Sequence, residues 1–167
     1  MSFAKIYQAI VSGPATLLNP LQSVLALVVR LWVGWQFLKA GYLKFGSWST
    51  TLFLFEEEYR VPLLSPQLAA ILGTAGELVF PLLLFVGLAG RLSAIGLSAV
   101  NILAVVSYAH VLFQSGFEAA VGQHYLWGLM LLMLVVYGPG KLSVDYLLSR
   151  TLLQRREPAQ VAAAATV

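Results

Sequence analysis

One carboxylate, Glu77, lies inside an apolar run that is long enough to cross a lipid bilayer. The run extends from Ile71 to Leu88, reads ILGTAGELVFPLLLFVGL, and holds no other charged residue. A charged side chain at membrane depth costs several kcal/mol unless it is paired, protonated or hydrated. The sequence therefore predicts a partner for Glu77 inside the protein and makes its carboxylate a candidate proton or headgroup site.

The first candidate partner is Arg30, which lies within another apolar stretch and shares a helical face with Lys44. At 1.5 Å per residue, Arg30 and Asn101 lie about 13 Å from the cytoplasmic ends of their helices, and Glu77 lies about 16 Å from its own. We predict an ion pair between Glu77 and Arg30, with Asn101 as a hydrogen-bond partner. The pair is either a functional centre or an ion pair that only fixes the helix register.

A second polar layer is expected nearer the outer surface, where Lys44, His110 and His124 meet the glutamates at 56–58. Two histidines with carboxylates can bind a metal, but their spacing matches no local ligand motif, so we expect no metal site. A histidine pair could instead exchange protons with a redox ligand. Trp35 is a candidate lining residue of that ligand site, although aromatic residues at helical spacing are more often packing residues.

The composition indicates an integral membrane protein. Of 167 residues, 59% are hydrophobic and only 10% are charged, and the mean hydropathy is +0.83. Apolar runs of about 20 residues predict helices, which satisfy their own backbone polar groups within lipid. Cysteine is absent, which excludes thiol chemistry and iron–sulfur ligation by this chain. Redox chemistry here would require a bound cofactor, and no nucleic-acid binding is expected.

The predicted fold is an all-α membrane four-helix bundle with interfacial amphipathic helices. The predicted spans are at about 21–45, 67–88, 92–114 and 120–137, within a domain at 20–148. Residues 1–19 are predicted to form an interfacial helix, broken at Gly13-Pro14 and Asn19-Pro20, in preference to a weak signal sequence. Residues 46–66 are too short and too charged to span, so they form either an interfacial helix or a lid over the site.

The charges predict the orientation. Both termini and the turn at Arg91 lie on one side, which holds most of the lysines and arginines, whereas the other side holds four glutamates. The positive-inside rule then places both termini in the cytoplasm. The segment from Lys141 to Arg156 is predicted to be a basic surface helix that binds anionic lipid headgroups. The tail at 149–167 is basic at first and disordered from Pro158 onward.

Several stretches resemble the DoxX family of small four-span bacterial membrane proteins, over most of the chain from Leu25 to Leu148. They are Arg30-Leu31 with Phe37-Leu38, Lys44-Phe45-Gly46, Val61-Pro62, the run from Gly73 to Val79, Pro81, the run from Gly87 to Arg91, and YGPGKLSVDYLL from Tyr137 to Leu148. The family is named for a subunit of a thiosulfate:quinone oxidoreductase. The resemblance implies a multi-pass bundle in the bacterial inner membrane with a quinone connection, and it matches recurrent polar positions at Arg30, Lys44, Glu77 and Arg91.

Three functions remain open from the sequence. The first is a quinone-associated subunit of a membrane oxidoreductase, in which Glu77 and Arg30 carry the chemistry. The second is a non-catalytic accessory protein that assembles with, or anchors, a partner. The third is small-molecule transport, which four spans would support best in an oligomer. Membrane lipids and either a protein partner or a second copy of the chain are the expected partners.

Overall fold

The computed structural model describes residues 2–152, and helices are the only regular secondary structure among them. The helices are α1 (Phe3–Gly46), α2 (Trp48–Glu57), α3 (Pro66–Val86), α4 (Gly90–Ser107), α5 (Ala109–Leu112), α6 (Glu118–Tyr137) and α7 (144–152). The predicted tail from Pro158, together with Arg155 and Arg156 of the predicted basic helix, lies outside the described residues.

Four of these helices are long and apolar enough to cross a membrane, which confirms the predicted four-span bundle. They are Leu18–Gly46 within α1, and the whole of α3, α4 and α6. The third span is shorter than predicted, because α4 ends at Ser107 and the short helix α5 follows it. The fourth begins at Glu118, slightly before its predicted start.

The first helix is longer than the sequence predicted. It runs for 44 residues and passes through Pro14 and Pro20, where breaks were expected. A proline removes one backbone hydrogen bond and bends a helix, but it need not end one. The predicted segment at 1–19 is therefore not separated from the first span by a break in the helix.

Glycines set the distance between the spanning helices. A Cβ atom built on Gly41 of α1 would lie 2.8 Å from the Glu77 Cβ of α3, and one built on Gly76 of α3 would lie 2.9 Å from Val100 of α4. Side chains of ordinary size at either glycine would push the helices apart. The bundle core includes five fully buried residues, Val33, Leu84, Ala94, Leu97 and Leu131.

The predicted helix in segment 46–66 is present as α2, which packs back against α3. Phe55 of α2 is buried in a cluster with Ala69 and Ala70 of α3. The glutamates at 56–58 are exposed, as expected for a solvated face. The chain then turns, and Ser65 begins α3 as its N-cap, with its hydroxyl accepting from the Leu68 backbone N–H at 3.4 Å.

Residues 138–152 fold against one end of the bundle. The Ser143 hydroxyl accepts from the Tyr146 backbone N–H at 3.3 Å at the start of α7. The Asp145 carboxylate reaches the start of α4, where it accepts from the backbone N–H groups of Ala89 (2.8 Å) and Gly90 (2.7 Å). A carboxylate at a helix N-terminus satisfies free donors and complements the helix dipole.

This contact predicts the effect of changing Asp145. Asp145→Ala leaves two backbone N–H groups without an acceptor, and removal of a helix cap typically costs about 1–2 kcal/mol. We expect a lowered melting temperature in detergent, and a smaller loss for Asp145→Asn, which keeps one acceptor oxygen. Equal melting temperatures for Asp145→Ala and the unaltered protein would show that the cap does not stabilise the fold.

Candidate functional site

Glu77 has an ion-pair partner, and that partner is Lys44. The Lys44 Nζ lies 2.5 Å from the Glu77 Oε1, with side chains 24% and 7% exposed respectively. The close approach of α1 and α3 at Gly41, one turn before Lys44, brings the two side chains together. The other carboxylate oxygen, Oε2, is buried and accepts no hydrogen bond from the described residues. The predicted pair between Glu77 and Arg30 is therefore wrong.

Arg30 lies at the opposite end of the bundle. It is fully buried, and its Nη2 donates to the Leu142 backbone carbonyl at 2.5 Å. Its Nε and Nη1 have no hydrogen-bond partner among residues 2–152. Arg30 and Gly41 are about three turns apart on α1, which is about 16 Å along the helix axis. The Arg30 guanidinium holds the C-terminal segment against the bundle and does not reach Glu77.

Asn101 also has a different partner from the predicted one. Its side-chain amide nitrogen donates to the His124 backbone carbonyl at 3.0 Å, and its Oδ1 lies 2.8 Å from the His124 Nδ1. These bonds join α4 to α6, whereas Glu77 pairs across α1 and α3. The sequence predicted that Asn101 shares a layer with Arg30 and Glu77, whereas its side chain is bonded to His124, which was assigned to the other polar layer.

An apolar cavity of about 280 Å³ lies beside the Lys44–Glu77 pair. Its walls come from every helix of the bundle and from the turn after α2. The lining residues are Lys44, Phe55, Tyr59, Val61, Leu64, Ala69, Leu72, Gly73, Glu77, Val100, Leu103, Ala104, Ser107, Tyr108, Leu112 and His124. Most of the lining is apolar, and the polar groups are few, as is typical of sites for small lipid-soluble ligands.

The cavity reaches the outer surface of the spanning helices. Leu72 of α3 and Leu103 of α4 both line it, and both are exposed, at 53% and 41%. Exposed leucines on spanning helices face lipid in a membrane. The wall of the cavity at α3 and α4 therefore includes side chains that also belong to the lipid-facing surface.

Aromatic side chains form the rim of the cavity. Phe55, Tyr59 and Tyr108 pack edge to face in sequence, with ring centroids 4.9 and 5.3 Å apart. The Tyr108 hydroxyl donates to the Glu58 carboxylate at 3.4 Å. Burial raises the pKa of the Tyr59 hydroxyl, and the neighbouring Tyr108, Glu58 and Glu77 raise it further. Its hydroxyl is therefore protonated at neutral pH and is available as a hydrogen-bond donor.

The predicted site residues thus separate into two groups. Lys44, Glu77 and His124 all line the cavity. Asn101 does not line it but forms a hydrogen bond with the His124 ring. The other three predicted site residues do not line the cavity. Arg30 lies at the opposite end of the bundle, and Trp35 is 53% exposed on the outside of the bundle. His110 is exposed, and its ring packs against Tyr108. No group of three metal-ligating side chains occurs in the part of the chain that the structure describes.

Sequence reasoning gave no role at the site to Tyr108 or Asp145, and it considered Tyr59 only as part of the alternative lid in segment 46–66. The two tyrosines follow the ends of α2 and α4, and amphipathic rings are common where helices end at a membrane interface, so their type and position gave a usable signal. Asp145 gave a weaker one, because its role depends on the chain folding back onto the start of α4.

The four spans and the cavity between them define a multi-pass membrane protein with a ligand-sized site at one end of a helical bundle. Residues 25–118, more than half of the chain, match the sequence model of the DoxX family. The chain belongs to the DoxX family. It is similar to an uncharacterized protein of Haemophilus influenzae, with 29% identity over 131 residues that cover 74% of this chain and 83% of the relative. No solved structure matches the sequence.

Proposed function

We propose that this DoxX protein is a subunit of a membrane oxidoreductase and that it binds a quinone in the cavity. The observation that supports the proposal best is the Lys44–Glu77 ion pair, which lines an apolar cavity between spanning helices. A charged pair beside apolar walls suits a molecule with one polar ring and a long apolar tail. Quinones have that form.

The cavity fits a quinone headgroup in size and chemistry. A volume of about 280 Å³ is near the lower end of ligand pockets, which suits one substituted ring and leaves the tail outside. The tail would pass Leu72 and Leu103 into the lipid. Lys44 and Tyr59 supply N–H and O–H donors for ring oxygens, and the aromatic rim packs against the ring edge.

The proposed roles follow from these positions. Lys44 and Glu77 bind one end of the ligand and hold or exchange a proton there, and His124 contacts the ligand from α6. Asn101 orients His124, and Arg30 has a structural role. The chain has no cysteine, so the proposal includes a partner subunit that exchanges electrons with the bound quinone.

Fluorescence of Trp127 provides the test, because its ring lies 5.0 Å from the His124 ring beside the cavity. Trp32, Trp35 and Trp48 are replaced by phenylalanine, and a short-chain benzoquinone is titrated into the purified protein. We expect saturable quenching. Gly73→Leu should abolish the saturable part, because Gly73 lines the cavity and the leucine side chain would fill it.

Gly73→Ala is the matched control. A Cβ atom at this position would lie 3.6 Å from the Phe55 ring, which is an ordinary contact, so the alanine variant should bind as the unaltered protein does. Quenching that never saturates, or that is the same in Gly73→Leu, would contradict the proposal and leave an assembly or anchoring role as the alternative.

We also propose that the protein lies in the bacterial inner membrane with both termini in the cytoplasm. Exposed Arg91, Lys141 and Arg150 lie at one end of the bundle, and the glutamates at 56–58 lie at the other. A reporter that is active only in the cytoplasm should work when fused at the C-terminus and fail when inserted at Gly116, an exposed turn glycine. The reverse pattern would overturn this orientation.

A further inference from the structure

His124 lines the cavity, and of its two ring nitrogens only Nδ1 has a hydrogen-bond partner among the described residues. Its Nδ1 lies 2.8 Å from the Asn101 Oδ1, and the Asn101 amide nitrogen donates to the His124 backbone carbonyl at 3.0 Å. The second bond fixes the orientation of the amide, because only its nitrogen can donate to a carbonyl. The Oδ1 must then accept, so Nδ1 carries the ring proton. A neutral imidazole protonated at Nδ1 has a lone pair at Nε2.

The surroundings of His124 favour the neutral ring. No carboxylate forms an ion pair with this imidazole among residues 2–152, and the indole of Trp127 packs against it. A cation without a counter-ion is costly in such a place. No described residue donates to Nε2, and His124 lines the cavity. This nitrogen is therefore available as a hydrogen-bond acceptor for a ligand.

Resting on the proposed function, we infer that His124 makes the cavity selective for the reduced ligand, a quinol, over the oxidised quinone. A quinol has two O–H donors, and one of them can donate to Nε2. A quinone has only carbonyl acceptors there, so two lone pairs would face each other and both groups would stay unsatisfied. Leaving buried polar groups unsatisfied is what gives such sites their discrimination.

The other polar groups that line the cavity do not discriminate between the two forms. Lys44 has N–H donors, Glu77 has an unpartnered acceptor in Oε2, and the Tyr59 hydroxyl serves as either donor or acceptor. A carbonyl or a hydroxyl of the ligand can each be accommodated there. The preference therefore originates at His124, and Asn101 is the positioning residue that maintains it.

Three related ligands test the inference on the variant in which Trp127 is the single tryptophan. They are a short-chain benzoquinol, the corresponding benzoquinone, and the dimethyl ether of the quinol, which has no O–H donor. We expect the quinol to bind about tenfold more tightly than the quinone, and the ether to bind no better than the quinone. The titrations are performed without oxygen and followed through Trp127.

The outcomes separate this inference from the proposed function. Saturable binding of the quinone with an equal or lower Kd than that of the quinol would overturn the inference and leave the proposed function standing. Binding of the ether as tightly as the quinol would also overturn it. Failure of all three ligands to bind would contradict the proposed function and the inference together.

Nitrogen NMR reads the His124 tautomer directly. The chain has two histidines, so the variant His110→Gln, labelled with ¹⁵N in histidine, reports His124 alone. We expect a protonated Nδ1, an unprotonated Nε2, and a change at Nε2 when the quinol is added. Asn101→Leu should shift the ring toward the Nε2–H tautomer and remove the preference for the quinol. A protonated Nε2 in the His110→Gln protein would overturn the inference.

Discussion

Lys44→Met is expected to destabilise the protein by about 3–5 kcal/mol, the usual cost of removing one partner from a buried ion pair. The Glu77 side chain is only 7% exposed, so it would be left as an uncompensated charge or would have to take up a proton. The expected result is a large decrease in the melting temperature in detergent. Ligand binding should be lost as well, because Lys44 lines the cavity.

Lys39→Met is the matched control for this experiment. Lys39 lies on the same helix, is exposed, and forms no ion pair among residues 2–152, so its replacement should change the melting temperature little. A double variant, Lys44→Met with Glu77→Leu, removes both charges and should restore most of the stability. It should not restore ligand binding. Full recovery of binding in the double variant would show that the pair serves the fold alone.

Gly87→Ala is expected to have an effect of similar size at the other end of the bundle. Gly87 has a φ of +69°, a left-handed conformation that costs an L-residue about 1–2 kcal/mol. A Cβ atom here would also lie 1.9 Å from the Arg30 Nη1. The buried guanidinium would have to move away from the Leu142 carbonyl. We expect a loss of several kcal/mol in unfolding free energy and release of the C-terminal segment, detected as faster amide hydrogen exchange at 141–146.

Gly122→Ala provides the comparison for Gly87→Ala. Gly122 is helical, and a Cβ atom there would have no atom within 4 Å outside its own helix. Alanine has the higher helix propensity, so this variant should be neutral or slightly stabilising. If Gly87→Ala is as stable as Gly122→Ala, Arg30 does not hold the C-terminal segment in the way described.

The spans were predictable because hydrophobic length alone determines them. An apolar run of about 20 residues must form its own backbone hydrogen bonds in lipid, so α3, α4 and α6 follow from the sequence to within a few residues, except at the end of the third span. The start of the first span was harder to define. Because α1 continues through Pro20 as one helix, no break in the chain marks where the bilayer begins.

That uncertainty explains the wrong partner for Glu77. The predicted depths counted from Leu21 placed Arg30 level with Glu77, but the helix contacts set a different register. Gly41 lies against Glu77, and Arg30 lies against Gly87. The packing of small residues between helices determines this register, and the sequence of one helix does not show which glycine of another it will meet.

The pairing of Asn101 with His124 illustrates a second limit. A buried amide without a hydrogen bond is costly, so the sequence predicted that Asn101 has a partner. The choice between α3 and α6 depends on the rotation of α4 about its axis. Apolar residues surround α4 on several sides, so its pattern does not define a single inward face.

Photochemical labelling tests the ligand site most directly. A short-chain quinone bearing an azide is bound to the unaltered protein, irradiated, and located by mass spectrometry of the peptides. We predict that labelling will be confined to cavity-lining residues such as Tyr59, Leu72 and Tyr108, and that excess unlabelled quinone will prevent it. Labelling spread over the exposed face of α6, at Leu126 and Leu132, with no competition by unlabelled quinone, would contradict a quinone site in this cavity.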